Sequence, residues 1–249
     1  MFPIRDHNPS ATTPVVTWAL IVANVAIQAW VATSVRSDAD LWRLYQDWAM
    51  IPALVSNGEN WTSLATMAFL HGGWLHLVGN MLFLWIFGDN LEEALGHLGF
   101  LAFYLVAGVG AALCQWAVEP WSPIPTVGAS GAVAGVMGGY LLLFPKAKVD
   151  VLIFLVIFIR IIPIPAWLML LAWFGLQLFN GIGADALTGG VAYWAHAGGF
   201  AIGFALMVPV WIGRGGTGFW ARTDGRPEHP DAAWGALTPS RVPVVRRRR

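Results

Sequence analysis

Two residues of this chain have the types needed for nucleophilic catalysis: Ser130, in Gly128-Ala129-Ser130-Gly131, and His196, in Ala195-His196-Ala197-Gly198-Gly199. A serine hydroxyl is a weak nucleophile until a neighbouring base takes its proton, and histidine is the side chain most often used for that step. Both residues sit near the heads of apolar stretches. Water for hydrolysis is scarce in lipid, so such a pair must line a protected aqueous cavity. Backbone N–H groups at a helix start lack helical partners, which lets the Ser130 backbone hold an oxyanion. An ionisable side chain within an apolar span is costly unless satisfied, which makes His196 a functional candidate. The blander readings are a capping or packing role for Ser130 and a hydrogen bond to a neighbouring helix for His196.

A second group lies in the run His71-Gly72-Gly73-Trp74-Leu75-His76-Leu77-Val78-Gly79-Asn80. At i and i+4, His76 and Asn80 share one helix face, and two fixed donors in a site of low dielectric suit a developing oxyanion. His71 points elsewhere on a helix and reads as a loop or water-binding residue. Three histidines also raise a metal or haem site in a small transporter or haem protein. No His-Glu-x-x-His or Cys-x-x-Cys-His run occurs, so no metal and no cofactor are expected. No carboxylate lies within an apolar span to complete a triad. Asp185, in the loop before the last span, is the nearest, so a Ser-His dyad is expected.

The elements that must position these residues are membrane spans. The chain has 249 residues, of which 57% are hydrophobic and 11% charged, with a mean hydropathy of +0.62. That composition excludes an ordinary soluble domain and predicts a polytopic membrane protein, and 15 Trp residues suit the two headgroup regions. The formal net charge is zero, and no nucleic-acid partner is expected. The lone Cys114 rules out an internal disulfide.

Apolar runs give six spans: Val15 to Val35, Met67 to Phe87, Phe100 to Val118, Ser130 to Phe144, Ala166 to Ile182 and Trp194 to Ile212. The first exceeds the length of a signal-peptide core and reads as a retained span. The fourth is short and Gly-rich, as suits a helix surrounded by protein. Gly131, Gly135 and Gly139 repeat at i+4, as do Ala195, Gly199 and Gly203, so spans four and six can pack closely and bring Ser130 to His196.

The run Val149 to Ile162 is apolar but short, holds Arg160, and is closed by Pro163 and Pro165, so an interfacial or packed segment is expected rather than a crossing. Six crossings put Lys146, Lys148, Arg214 and the run Arg246 to Arg249 on the side of both termini, as the positive-inside rule prefers. Residues 36–66 read as an external loop of short interfacial helices. The resulting organisation is a polar segment over 1–14, a membrane domain over 15–212 and a disordered basic tail over 213–249. A multi-pass protein of a bacterial plasma membrane with cytoplasmic termini is expected.

Taken together, His76-x-x-x-Asn80 on the second span, Gly128-x-Ser130-Gly131 on the fourth and Ala195-His196-x-Gly198-Gly199 on the sixth resemble the rhomboid intramembrane serine proteases. The resemblance runs from about Val15 to Ile212 and takes in Asn24 and the Trp-rich first loop. It implies an all-α, six-helix membrane bundle with an interfacial first external loop. It also implies Ser130 as nucleophile, His196 as general base, and His76, Asn80 and the Ser130 N–H as oxyanion hole, with Gly128, Gly131, His71 and Gly199 in support. The implied partners are transmembrane protein substrates, cleaved through an acyl-enzyme in or near their membrane helices, and the lipid bilayer. The alternative is an inactive member that binds membrane helices without cutting them. Two positions depart from the pattern. Trp61-Thr62 stands where many members have Trp-Arg, and Ala134 stands where some have a Tyr that stacks on the histidine, leaving His196 to be oriented by Tyr193, Trp194 or an aromatic of the second span.

Overall fold

The computed structural model describes residues 2–155, 158–183 and 190–228. In chain order these form strand β1 (Phe2–Asp6), helices α1 (Val15–Ser34), α2 (Asp38–Trp48), α3 (Pro52–Ser56) and α4 (Ser63–Thr66), a 3-10 turn (Met67–Phe69), α5 (Trp74–Leu95), α6 (His97–Val118) and α7 (Ser130–Leu143). A hairpin of β2 (Lys148–Leu155) and β3 (Phe158–Pro165) follows, then α8 (Ala166–Gly183), α9 (Tyr193–Gly213) and α10 (Thr217–Thr223). Asp185 and the Arg246 to Arg249 run lie outside the described residues. The part of the expected disordered tail that is described carries α10.

The chain is a helical membrane bundle. α1, α6, α8 and α9 are each long and apolar enough to cross a bilayer, and α4 with its 3-10 turn, bent by 95° from α5, makes a fifth candidate. With 14 residues, α7 is the short member of the six long helices. At 1.5 Å per residue it reaches about 21 Å, less than the hydrocarbon thickness. Every residue from Gly131 to Leu143 is nevertheless buried, so protein rather than lipid surrounds it.

Small residues decide the packing. Around α7, a Cβ built on Gly131 or Gly135 meets Ala111 or Ala107 of α6, and one on Gly138 overlaps the Phe200 carbonyl of α9. From the α9 side, Gly199 and Gly203 rest on the carbonyls of Gly131 and Gly135. The third contact glycine on α7 is therefore Gly138. Gly139, the next member of the i+4 series, meets only side chains, those of Leu91 on α5, Phe103 on α6 and Met207 on α9.

Among its described residues, segment 149–162 forms no helix. It builds the β2–β3 hairpin, which β1 extends into a sheet of order β1-β2-β3. Its β-branched residues suit a strand, and Val149 and Val151 turn into the core. Buried Asp150 accepts hydrogen bonds from Arg5 Nε at 2.7 Å and His7 Nε2 at 2.9 Å. Burial pushes its carboxyl up, but the bonds from His7 and Arg5 outweigh this and hold it below the usual carboxylate range.

The sheet lies at the end of α7 remote from Ser130. The segment after α9 is bound at the same end, through Lys146 N–H to the Gly225 carbonyl and Trp220 Nε1 to the Leu142 carbonyl. Both described ends of the chain thus share one side with Lys146, Lys148 and Arg214. Also at that end, buried Glu92 of α5 accepts from the N–H groups of Val16 and Thr17 and from the Thr17 hydroxyl at 2.7–2.8 Å, capping the otherwise uncapped start of α1.

Candidate active site

Gly128 precedes the helix of Ser130 with φ +126°, a backbone conformation that L side chains rarely adopt. A Cβ there would stand 2.8 Å from His76 Cε1 and Nε2 and 3.5 Å from Asn80 Nδ2, so only a glycine lets this strand of backbone pass beside the α5 donors. Ala129 is the N-cap and has no side-chain cap bond, while Ser130 is the first helical residue. The Ser130 hydroxyl does not cap its own helix. Its Oγ lies 2.8 Å from His196 Nε2, on the first turn of α9.

Ser130, His196, His76 and Asn80 line one cavity of about 820 Å³, with Gln115 and Glu119 among its other polar walls. Asn80 is 8% exposed, and its Nδ2 finds no hydrogen-bond partner among the described residues. A buried amide donor without an acceptor is uncommon because desolvating it costs about 1–3 kcal/mol. Here the unpaired donor lines the cavity that holds the serine hydroxyl. The Gly72 N–H donates to His76 Nδ1 at 3.4 Å, which leaves His76 Nε2–H as the donor on the Gly128 side.

The loops around the cavity are braced from below and above. His71 is buried, and its Nε2 accepts from the Ala129 N–H at 3.4 Å while the Gly128 N–H donates to the Met67 carbonyl at 3.0 Å. His71, in the loop between the 3-10 turn and α5 as expected, thus also supports the turn into α7. Met50 of the first loop exchanges backbone hydrogen bonds of 3.1 and 2.8 Å with Thr126, just ahead of Gly128. Beside Trp61-Thr62, Asn60 Nδ2 donates to the carbonyls of Gln46 and Asp47, so this loop is tied internally without the arginine.

The orientation of His196 differs from expectation. Neither Tyr193, Trp194 nor an aromatic of α5 stacks on it. Its partners come from α8: the Trp173 ring lies 5.8 Å away, centroid to centroid, and Gln177 Oε1 lies 2.8 Å from His196 Nδ1. A single glutamine in an apolar helix belongs to no motif, so only its cost in lipid marks it out.

As placed, the imidazole can take the Ser130 proton on Nε2, and His76 and Asn80 of α5 line the same cavity, an arrangement suited to acyl transfer through a covalent serine intermediate. Among the described residues no group of His, Cys, Asp or Glu is placed to hold a metal ion.

Comparison with known proteins identifies the family. The rhomboid domain profile matches residues 58–212, more than half of the chain. Rhomboid-like protein 11, chloroplastic, of Arabidopsis thaliana is 45% identical over 82 residues, covering 33% of this chain and 29% of that protein. Rhomboid protein 1, mitochondrial, of Saccharomyces cerevisiae is 31% identical over 177 residues, 66% of this chain and 47% of that protein. Rhomboid protease GluP of Bacillus subtilis is 39% identical over 89 residues, 36% of this chain and 17% of that protein. The chain spans less than half the length of these relatives, and their chloroplastic and mitochondrial names lend no support to a bacterial membrane in particular. With the profile match over the spans that carry Ser130, His76, Asn80 and His196, this integral membrane protein belongs to the rhomboid family.

Proposed function

We propose that this protein is an intramembrane serine protease that hydrolyses peptide bonds in or near transmembrane helices of other proteins. The observation that carries the reading is the 2.8 Å contact between Ser130 Oγ and His196 Nε2 at the wall of a cavity that also holds the unpaired Asn80 donor. Ser130 Oγ attacks the scissile carbonyl carbon as its proton passes to His196 Nε2. The oxyanion is held by Asn80 Nδ2–H, His76 Nε2–H and the Ser130 N–H. Collapse breaks the C–N bond, and Nε2 gives the proton to the departing amine. Water then cleaves the acyl-enzyme by the same proton route in reverse.

Substrates are helices that unwind readily near the surface where the cavity opens, because a fully hydrogen-bonded helix hides its carbonyls. Both described ends of the chain, with Lys146, Lys148 and Arg214, face the opposite side, which the positive-inside rule assigns to the cytoplasm. The test is labelling of the purified protein in liposomes with a fluorophosphonate probe, alongside cleavage of a model transmembrane substrate. Labelling and cleavage present in the wild type and lost in both Ser130→Ala and His196→Ala are expected. A folded wild type that neither labels nor cleaves would replace protease with a non-catalytic binder of membrane helices.

A further inference from the structure

α8 is a lipid-facing helix whose outer surface carries Trp167, Leu168, Leu171, Leu176 and Phe179. Its inward stripe is Ala166, Leu170, Gln177 and Gly181. Gln177 is the polar member of that stripe, and an amide in that position is costly unless both its ends are bonded.

Both ends are bonded, and in one sense only. Gln177 Nε2 donates to the carbonyl of Trp173, one turn back on the same helix, at 3.3 Å. That carbonyl can only accept, so the other end of the amide, facing His196 Nδ1 at 2.8 Å, is Oε1. Oε1 can only accept in turn, so Nδ1 carries the hydrogen of the neutral ring. Nε2 is then the bare nitrogen, turned to the Ser130 hydroxyl 2.8 Å away. Reversing the amide would point Nδ1 at an NH2 group and leave Nε2–H facing Ser130, a tautomer that cannot accept its proton.

We propose that Gln177 is a positioning residue for catalysis, selecting the Nδ1–H tautomer of His196 and holding the ring plane with Trp173. The role rests on His196 acting as the general base, and it fills the place a carboxylate takes in a Ser-His-Asp triad. Gln177 touches neither the nucleophile nor the substrate. It acts through His196 alone. When Nε2 receives the serine proton, Nδ1–H already has an acceptor aligned, so the imidazolium forms without reorientation. A free imidazole prefers the Nε2–H form, so without Gln177 the ring spends most of its time unable to act as base.

The experiment combines nitrogen-15 NMR of ring-labelled histidine with kinetics on the full chain in detergent or liposomes. The wild-type His196 signal, identified by its loss in His196→Ala, is expected to show a protonated Nδ1 and a bare Nε2 at a pH where the ring is neutral. Gln177→Met removes the acceptor at similar volume and is expected to lower kcat about 10- to 100-fold with KM little changed. Gln177→Glu keeps an acceptor oxygen in either protonation state and is expected to recover most of that loss. A wild-type signal with protonated Nε2, or a folded Gln177→Met of undiminished kcat, would overturn the role. The NMR result does not depend on proteolysis, so a protein that fails to cleave but shows the Nδ1–H ring would refute the protease reading and leave the tautomer assignment standing.

Discussion

Gly199 rests on the carbonyl of Gly131 so closely that a Cβ at Gly199 would overlap the oxygen. Gly131 follows the proposed nucleophile directly, and Gly199 is one helical turn beyond the proposed base. Gly199→Ala is therefore expected to wedge α7 from α9, abolish fluorophosphonate labelling, and destabilise the fold by about 3 kcal/mol in thermal or denaturant unfolding. Gly175→Ala on α8, where a Cβ meets nothing within 4 Å, should leave both readouts unchanged. Equal effects at the two glycines would refute the packing argument.

Asn80 presents the opposite case, a buried donor whose Nδ2 has no partner to lose among the described residues. Asn80→Ala is expected to lower kcat about 10²- to 10³-fold, with a melting temperature equal to or above that of the wild type. A normal turnover number in the folded variant would remove Asn80 from the oxyanion hole.

At the other end of α7, the Tyr140 hydroxyl donates to Asp6 of β1 at 2.7 Å. Burial, reinforced by the Asp89 carboxylate, pushes Asp6 from an ordinary 3.8 up to about 8, although the Tyr140 bond works the other way. The folded form then binds a proton that the unfolded chain releases. This contribution to stability is full below about pH 4 and is lost as pH rises to about 8. Limited proteolysis of β1 should accelerate between pH 5 and pH 9 in the wild type, with a flatter profile in Asp6→Asn. Identical profiles would show that Asp6 does not govern the strand.

Glu92 holds three donors at the start of α1. Glu92→Ala leaves them unpaired and is expected to cost about 3 kcal/mol of stability. Activity per folded molecule should persist, because the cap lies at the end of the bundle remote from Ser130. A variant as stable as the wild type would mean that water caps α1 equally well.

The sequence carries the apolar helices and the nearness of Ser130 to His196 because both signals are local: apolar runs of membrane length, and small residues at i and i+4. A straight i+4 series drifts round the helix, so at the third turn Gly138 takes the close backbone contact with α9 while Gly139 meets α9 only through the Met207 side chain. Length excludes a crossing at 149–162, but the hairpin becomes visible only when β1, more than a hundred residues earlier, pairs with β2. The role of Glu92 is invisible in the sequence because the N–H groups it caps belong to another helix. Gln177 and Trp173 are silent for the same reason. Their partner, His196, lies across a helix interface that no spacing rule describes.

The enclosure of α7 separates the proposed nucleophile from the bilayer in a mechanical sense. A thinner or thicker membrane is accommodated by tilt of the helices that touch lipid, chiefly α1 and α8, with Trp18, Val22 and Trp30 on one and Leu168, Leu176 and Phe179 on the other. α7, buried from Gly131 to Leu143, offers lipid no surface to pull on. Hydrophobic mismatch is therefore expected to reach the proposed Ser130–His196 pair through the imidazole side, by way of α8 and the Gln177 amide, rather than through the serine.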